Sequence, residues 1–251
     1  MTWSREQLLS LLACVDLTSL NEDDPPNRIE SLCRGAAAAA VRPAAVCVYP
    51  EYVWLARQRL DAQDCHGVAV ASVANFPEGG DDPLRAAREC HRLRAAGADE
   101  VDVVLPYRAL MAGDLARYRA VAQASREATG EAVLKCILET GELTCAERIE
   151  EAAEIALEAG ADFLKTSTGK VSINATPAAA EIMLAAIGRN RRPCGFKAAG
   201  GIRRIEDALR YQQLSQAALG PAGGQPGQFR LGASALFEVL LTALNQTDDD
   251  A

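Results

Sequence analysis

Short apolar runs recur along this chain about every thirty residues, and the period of hydrophobicity changes after each one. The runs cover 11–17, 44–49, 68–73, 101–105, 132–138, 162–166, 194–197 and 229–231, eight in all. Their length and bounding turn residues predict buried strands. The stretches 83–96, 116–128, 146–159 and 177–187 between them read as amphipathic Ala/Leu/Arg/Glu helices, the first capped at Asp81-Asp82. Gly97-Ala98-Asp99 and Gly160-Ala161-Asp162 predict matching helix-to-strand turns with glycine at the left-handed C-cap.

Strand and helix in alternation argue for a parallel sheet. Eight such units in 251 residues predict an α/β fold of one domain, a closed (β/α)8 TIM barrel over residues 1–251. No GxGxxG follows the first run, which weakens the case for an open dinucleotide-binding sheet. A short N-terminal extension is expected over 1–10, and the expected irregular parts are a flexible loop over 221–227 and a disordered acidic tail over 247–251.

Composition narrows the function. A formal net charge of −8 argues against nucleic-acid partners, which call for basic patches. No apolar stretch reaches the length of about 18 residues that spans a membrane, and Met1–Glu6 lacks the pattern of a secretory signal. The eight cysteines form no CxxC pair, and Cys14, Cys47, Cys136 and Cys194 sit in apolar runs, as free packed thiols do. A reducing cytoplasm is the expectation. Of the two histidines, His66 precedes a strand at the wrong end for a barrel site and His91 lies mid-helix, so no metal site is expected.

The polar residues that close the runs carry the chemistry. Asp16, Asn75, Asp102, Glu139, Lys165 and Lys197, together with Cys47, should converge on the C-terminal mouth of a barrel. For Asn75 and Glu139 a satisfied buried polar group is an equal alternative, and for Cys47 the alternatives are inert packing and capture of unsaturated aldehydes. The lysines are different. Only four of the 26 basic residues are lysine, and two of them end apolar runs, in Phe163-Leu164-Lys165 and Gly195-Phe196-Lys197. They are 32 residues apart, one βα unit, and so fall on adjacent strands about 5 Å apart. Mutual repulsion and burial should push both amines down. A lysine brought from about 10.4 to about 7 costs roughly 4–5 kcal/mol, which a nucleophilic role would explain and a structural role would not.

Glycines follow the last three runs, in Gly169-Lys170, Gly200-Gly201 and Gly232-Ala233-Ser234. Close backbone N–H groups and a helix starting near Ala233 predict an anion site, where such barrels often bind phosphate.

Val101-Asp102-Val103-Val104-Leu105-Pro106-Tyr107-Arg108, Phe163-Leu164-Lys165-Thr166-Ser167-Thr168-Gly169 and Gly195-Phe196-Lys197-Ala198-Ala199-Gly200-Gly201 closely resemble the deoxyribose-phosphate aldolases, as do Asp16-Leu17-Thr18, Asn75-Phe76-Pro77 and Glu139-Thr140-Gly141. The resemblance runs from about residue 10 to residue 240. It implies a metal-free, cofactor-free class I aldolase that reversibly cleaves 2-deoxy-D-ribose 5-phosphate to acetaldehyde and D-glyceraldehyde 3-phosphate. Lys165 would form the Schiff base, Lys197 would perturb it, and Asp102 would support proton transfer. Asp16, Lys135, Thr168, Gly169, Lys170, Gly200, Gly201, Gly232 and Ser234 would bind substrate or complete the polar network, and a homodimer is implied. Two departures stand out: Ala198 replaces the proline more usual after the second lysine, and the C-terminus lacks the tyrosine that some members bring to the site. The rival readings are a Schiff-base aldolase for another phosphorylated aldehyde or ketone, a metal-dependent aldolase, and a non-catalytic sugar-phosphate-binding barrel.

Overall fold

The computed structural model describes residues 3–143 and 145–249, without the side chains of Asp248 and Asp249. The eight runs are eight parallel strands: β1 (Val15–Ser19), β2 (Ala45–Val48), β3 (Ala69–Ala74), β4 (Glu100–Val104), β5 (Val133–Ile137), β6 (Phe163–Lys165), β7 (Gly195–Ala199) and β8 (Phe229–Ala233). They pair in chain order and β8 returns to β1, closing the barrel. Around it lie α1 (Arg5–Ala13), α2 (Pro26–Ala38), α3 (Val53–Asp61), α4 (Pro83–Ala95), α5 (Tyr107–Met111), α6 (Leu115–Thr129), α7 (Ala146–Ala159), α8 (Pro177–Arg189), α9 (Ile205–Leu219) and α10 (Ala235–Asp249).

The alanine bias has a packing consequence. In α7, Ile149, Ala152, Ala153 and Ala156 recur at helical spacing and are buried against the barrel. Methyl side chains let helix and sheet approach closely.

The two Gly-Ala-Asp turns do the same work in two places. Gly97 and Gly160 have φ of 97° and 95° and end α4 and α7. The aspartate that follows then ties the incoming strand to its neighbour. Asp99 Oδ2 accepts the Val70 N–H at 2.8 Å, and Asp162 Oδ2 accepts the Leu134 N–H at 2.8 Å. An arginine from a preceding helix clamps each, Arg57 at 3.3 Å and Arg126 at 2.7 Å.

Within the N-terminal extension α1 starts behind a Ser4/Gln7 capping box and buries Leu8, Leu11 and Leu12, so the first run begins as helix and becomes strand only at Val15. Two expectations of irregular structure fail among the described residues. The loop over 221–227 contains a 3-10 turn at Pro221–Gly224, whose Gly224 carbonyl accepts from Gln212 at 3.0 Å and from the Cys14 thiol at 3.4 Å. The acidic tail is helical backbone as far as Asp249; Asp250 and Ala251, like Met1 and Thr2, lie outside the described residues. No helix among the described residues is long and apolar enough to cross a membrane.

Candidate active site

Alternation along each strand sends one set of side chains out to the helices and the other into the lumen. On β2 and β3 the inward set is Ala45, Cys47, Ala71 and Val73, a small apolar wall. The other strands point charge inward. Asp16 comes from β1, Glu100 and Asp102 from β4, Lys135 from β5, Lys165 from β6, Lys197 from β7 and Arg230 from β8, all buried. Two glycines make room inside the lumen. A side chain at Gly195 would sit 2.3 Å from the Phe163 ring that fills the lower lumen, and one at Gly232 would meet Ala199 Cβ at 2.9 Å and Lys197 Cε at 3.2 Å.

Strand register sets the contacts. Lys165 lies directly opposite Lys197, and Asp102 opposite Lys135. Asp102 is the hub: its Oδ1 accepts Lys135 Nζ at 2.7 Å, and its Oδ2 accepts both Lys165 Nζ and Lys197 Nζ at 2.8 Å. Burial pushes this carboxyl up, but the three ammonium groups outweigh it and hold it well below the usual carboxylate range.

The two lysines that look alike in sequence part company here. Lys197 has a second carboxylate, Asp16 Oδ2 at 2.5 Å. Burial pushes its amine down, yet Asp102 and Asp16 together raise it above the ordinary lysine value. Lys165 has Asp102 alone. Burial pushes it down, Asp102 only partly offsets that, and Lys197 opposite adds repulsion, so the balance falls below the ordinary value. The expectation that both amines are pushed down therefore holds for Lys165 and fails for Lys197, because β1 supplies a counter-ion to only one of them.

Lys165 also lines an open cavity of about 240 Å³ at the C-terminal mouth. Thr168, Gly169, Lys170, Gly200, Gly201, Gly232 and Ser234 line it too, so these seven predicted substrate residues are brought together with the amine. Gly169, Gly200 and Gly201 adopt positive φ there, and the first residue of α10, Ala235, reaches the cavity wall. Lys170 Nζ donates to the Leu20 carbonyl at 2.6 Å, tying the loop after β6 to the loop after β1. Arg28 and Arg203 add positive charge to the rim. Asp16 and Lys135 do not line this cavity. Both are fully buried beneath it, the oxygens of Asp16 taken by Lys197 and Arg230, so the role of orienting sugar hydroxyls does not fit Asp16.

The equal alternatives for Asn75 and Glu139 resolve toward bracing. Glu139, at φ 57°, accepts the Thr168 N–H at 3.1 Å and its hydroxyl at 2.6 Å, and Thr168 Oγ1 in turn accepts the Lys170 N–H at 3.0 Å. Asn75, at φ 53°, donates to the Gly80 and Val104 carbonyls at 2.7 and 2.8 Å and accepts the Gly80 N–H at 3.0 Å. Replacing Asn75 by Ala orphans these groups, and we expect a loss of about 1–3 kcal/mol in urea unfolding. Cys47 is fully buried in the apolar wall, and burial, with Asp102 nearby, pushes its thiol up. His66 pairs with Asp61 at 3.0 Å, 69% exposed on the surface.

A sequence profile described as DeoC/LacD family aldolase matches residues 10–236. The chain belongs to this aldolase family. Among solved structures it is similar to a candidate deoxyribose-phosphate aldolase from Coccidioides immitis, at 31% identity over 98% of this chain and 89% of that one, with a TM-score of 0.83. It shares its fold with another such candidate from Toxoplasma gondii ME49, at 24% identity over 96% and 95% of the two chains and a TM-score of 0.89. The tetrameric deoxyribose phosphate aldolase of Aeropyrum pernix has the same fold, at 22% identity, 98% and 97% coverage and a TM-score of 0.73.

Two members of this aldolase's charge cluster escape a reading of the sequence. Glu100 donates nothing to the apolar pattern and reads as part of the turn Asp99-Glu100, and Arg230 is one of 22 arginines. The available signals were the period of two backwards from Asp102 to Glu100, and the apolar flanks Phe229 and Leu231 on either side of Arg230.

Proposed function

We propose that this aldolase cleaves 2-deoxy-D-ribose 5-phosphate reversibly to acetaldehyde and D-glyceraldehyde 3-phosphate, with Lys165 as the Schiff-base nucleophile. One observation carries the choice of nucleophile. Among the described residues Lys165 is the one lysine of the buried cluster that reaches the cavity, and it has the fewest carboxylate partners.

Lys165 Nζ, as the free amine, attacks C1 of the open-chain aldehyde, and the carbinolamine loses water to give an iminium. The C3 hydroxyl proton leaves toward Asp102, through water, as the C2–C3 bond breaks. The electron pair of that bond flows into the iminium, which becomes a neutral enamine, and glyceraldehyde 3-phosphate departs. A proton returns to C2, water adds to the new iminium, and acetaldehyde is released with Lys165 restored. Lys197 stays charged beside the reacting nitrogen and keeps Asp102 ionised for these transfers. The Gly200-Gly201 turn, the start of α10 and the rim cations Lys170, Arg203 and Arg28 suit a phosphate handle, whose binding energy orients the aldehyde end. A homodimer in a reducing cytoplasm goes with this reading. All eight cysteines are free, and Trp54 and Leu84 are large apolar side chains left exposed.

Borohydride reduction in the presence of 2-deoxyribose 5-phosphate, followed by peptide mass mapping, tests the proposal. The expected product is a secondary-amine adduct on Lys165. An adduct confined to Lys197 or Lys170 overturns the assignment of roles, and binding with no adduct on any lysine favours a non-catalytic sugar-phosphate barrel.

A further inference from the structure

Below the reacting amine lies a second tier of charge that the aldol steps do not touch. Arg230 reaches across from β8 to Glu100 on β4, Nη2 donating to Oε1 at 2.8 Å and Nη1 to Oε2 at 3.1 Å, while the same Nη1 donates to Asp16 Oδ1 at 2.6 Å and Nε to the Pro226 carbonyl at 2.6 Å. Its guanidinium also lies over the Phe163 ring, 5.3 Å from the centroid. Glu100 Oε2 in turn takes Lys135 Nζ at 2.5 Å. Buried ion pairs of this kind add little stability over apolar packing, so their presence under an active site calls for another account.

The charge count supplies it. The ionisable groups that the strands turn into the lumen among the described residues are Asp16 (β1), Cys47 (β2), Glu100 and Asp102 (β4), Lys135 (β5), Lys165 (β6), Lys197 (β7) and Arg230 (β8); β3 contributes only apolar groups. With the Cys47 thiol protonated, four cations face three carboxylates, and one positive charge is in excess. At the mouth above them the buried Glu139, whose oxygens accept from Thr168, and the cavity-lining Lys170 add one carboxylate and one amine, which leaves the excess unchanged. The cluster relieves it by releasing one proton. Arg230 cannot release one. Lys135 touches three carboxylates (Glu100 at 2.5 Å, Asp102 at 2.7 Å, Asp16 at 3.4 Å), Lys197 touches two, and Lys165 touches one. We propose that Glu100 and Arg230 are positioning residues that set the charge balance of the cluster, so that Lys165 is the amine that loses its proton. Glu100 secures the charge on Lys135, and Arg230 supplies the excess that Lys165 must relieve. The proposal rests on Lys165 being the nucleophile.

The test is the acid limb of the pH profile of kcat/KM for 2-deoxyribose 5-phosphate cleavage, which reports protonation of the free amine. Glu100→Gln removes a negative charge, disfavours the ammonium and moves the limb to lower pH by about one unit. Arg230→Met removes the excess positive charge, favours the ammonium and moves the limb to higher pH by a similar amount. The double variant restores the count and brings the limb back toward the wild-type position, whereas Arg230→Lys leaves it in place. A merely structural pair would lower kcat in both single variants without opposite displacements. Limbs that stay put, or move the same way, overturn the proposal.

A second measurement needs neither folding variants nor substrate. With only four lysines, 15N labelling at Nζ resolves each amine in the wild-type protein. Lys165 is expected to titrate at lower pH than Lys135 and Lys197, and a Lys135 that titrates first overturns the assignment. Failure of the Schiff-base reading itself appears separately, as the absence of a borohydride adduct on wild-type Lys165. An adduct there with unmoved limbs defeats the charge-balance proposal alone.

Discussion

Lys165→Met is expected to abolish turnover, with a loss of at least about 10⁴-fold in kcat, and at the same time to make the protein more stable. The activity loss follows because no other amine of the cluster reaches the cavity, and Met has no lone pair that can form an iminium. The gain in stability follows from the charge count. Met removes the amine that must give up its proton on burial and leaves Lys135, Lys197 and Arg230 facing Asp16, Glu100 and Asp102 with no charge to shed. Asp102 loses one of its three donors but keeps Lys135 on Oδ1 and Lys197 on Oδ2. Replacing a buried ion by an apolar chain of similar volume is commonly neutral or stabilising by about 1–4 kcal/mol. For a chain of this size that raises the thermal midpoint by about 2–4 °C per kcal/mol. Calorimetry and a coupled cleavage assay on the same preparation check both halves. An active Met variant removes Lys165 from the chemistry, and a lowered midpoint contradicts the charge count.

Asp102→Asn is expected to act in the opposite sense on stability, although it too is inactive. The amide is isosteric but neutral, so the three amines that shared one carboxylate lose it together. With Lys165 deprotonated, three cations then face two carboxylates, and the isolated excess charge costs about 3–5 kcal/mol at pH 7. The sign of the pH dependence follows. Excess positive charge depresses the folded-state amines below their unfolded values, so between the two values the unfolded chain binds more protons and stability rises with pH. Urea unfolding should therefore show a deficit against wild type that is full near neutral pH and narrows toward pH 10. A constant deficit across that range would mean that packing, not charge, is what Asp102 supplies.

How much of this was legible beforehand differs from residue to residue. Asp102, Lys165 and Lys197 stood out because a charge inside an apolar run has no cheap structural explanation. The two lysines could not be ranked on that basis, because the ranking depends on Asp16, which lies 181 residues from Lys197 along the chain. Arg230 and Glu100 were hidden for a related reason: Glu100 sits at the edge of a run, where charge is ordinary, Arg230 sits in a run of only three residues, and they are 130 residues apart. Local pattern also misread the ends. Leu11 and Leu12 continue the apolar run into Val15, yet the Ser4/Gln7 capping box starts a helix that ends at Ala13. The loop 221–227 looked free because its glycines and prolines favour turns, and it is anchored by Gln212 and Cys14, contacts that no window of sequence reveals.

The sequence by itself determined the barrel, through eight apolar runs alternating with amphipathic stretches, and it marked the residue types that make amine chemistry possible. Periodicity is a local property, and each run needs only its own side chains to choose a lumen face and a helix face. Tertiary structure alone separated the buried lysines by their counter-ions. That separation depends on how many carboxylates touch each nitrogen, and the carboxylates arrive from β1 and β4 only when β8 pairs with β1 and the barrel closes.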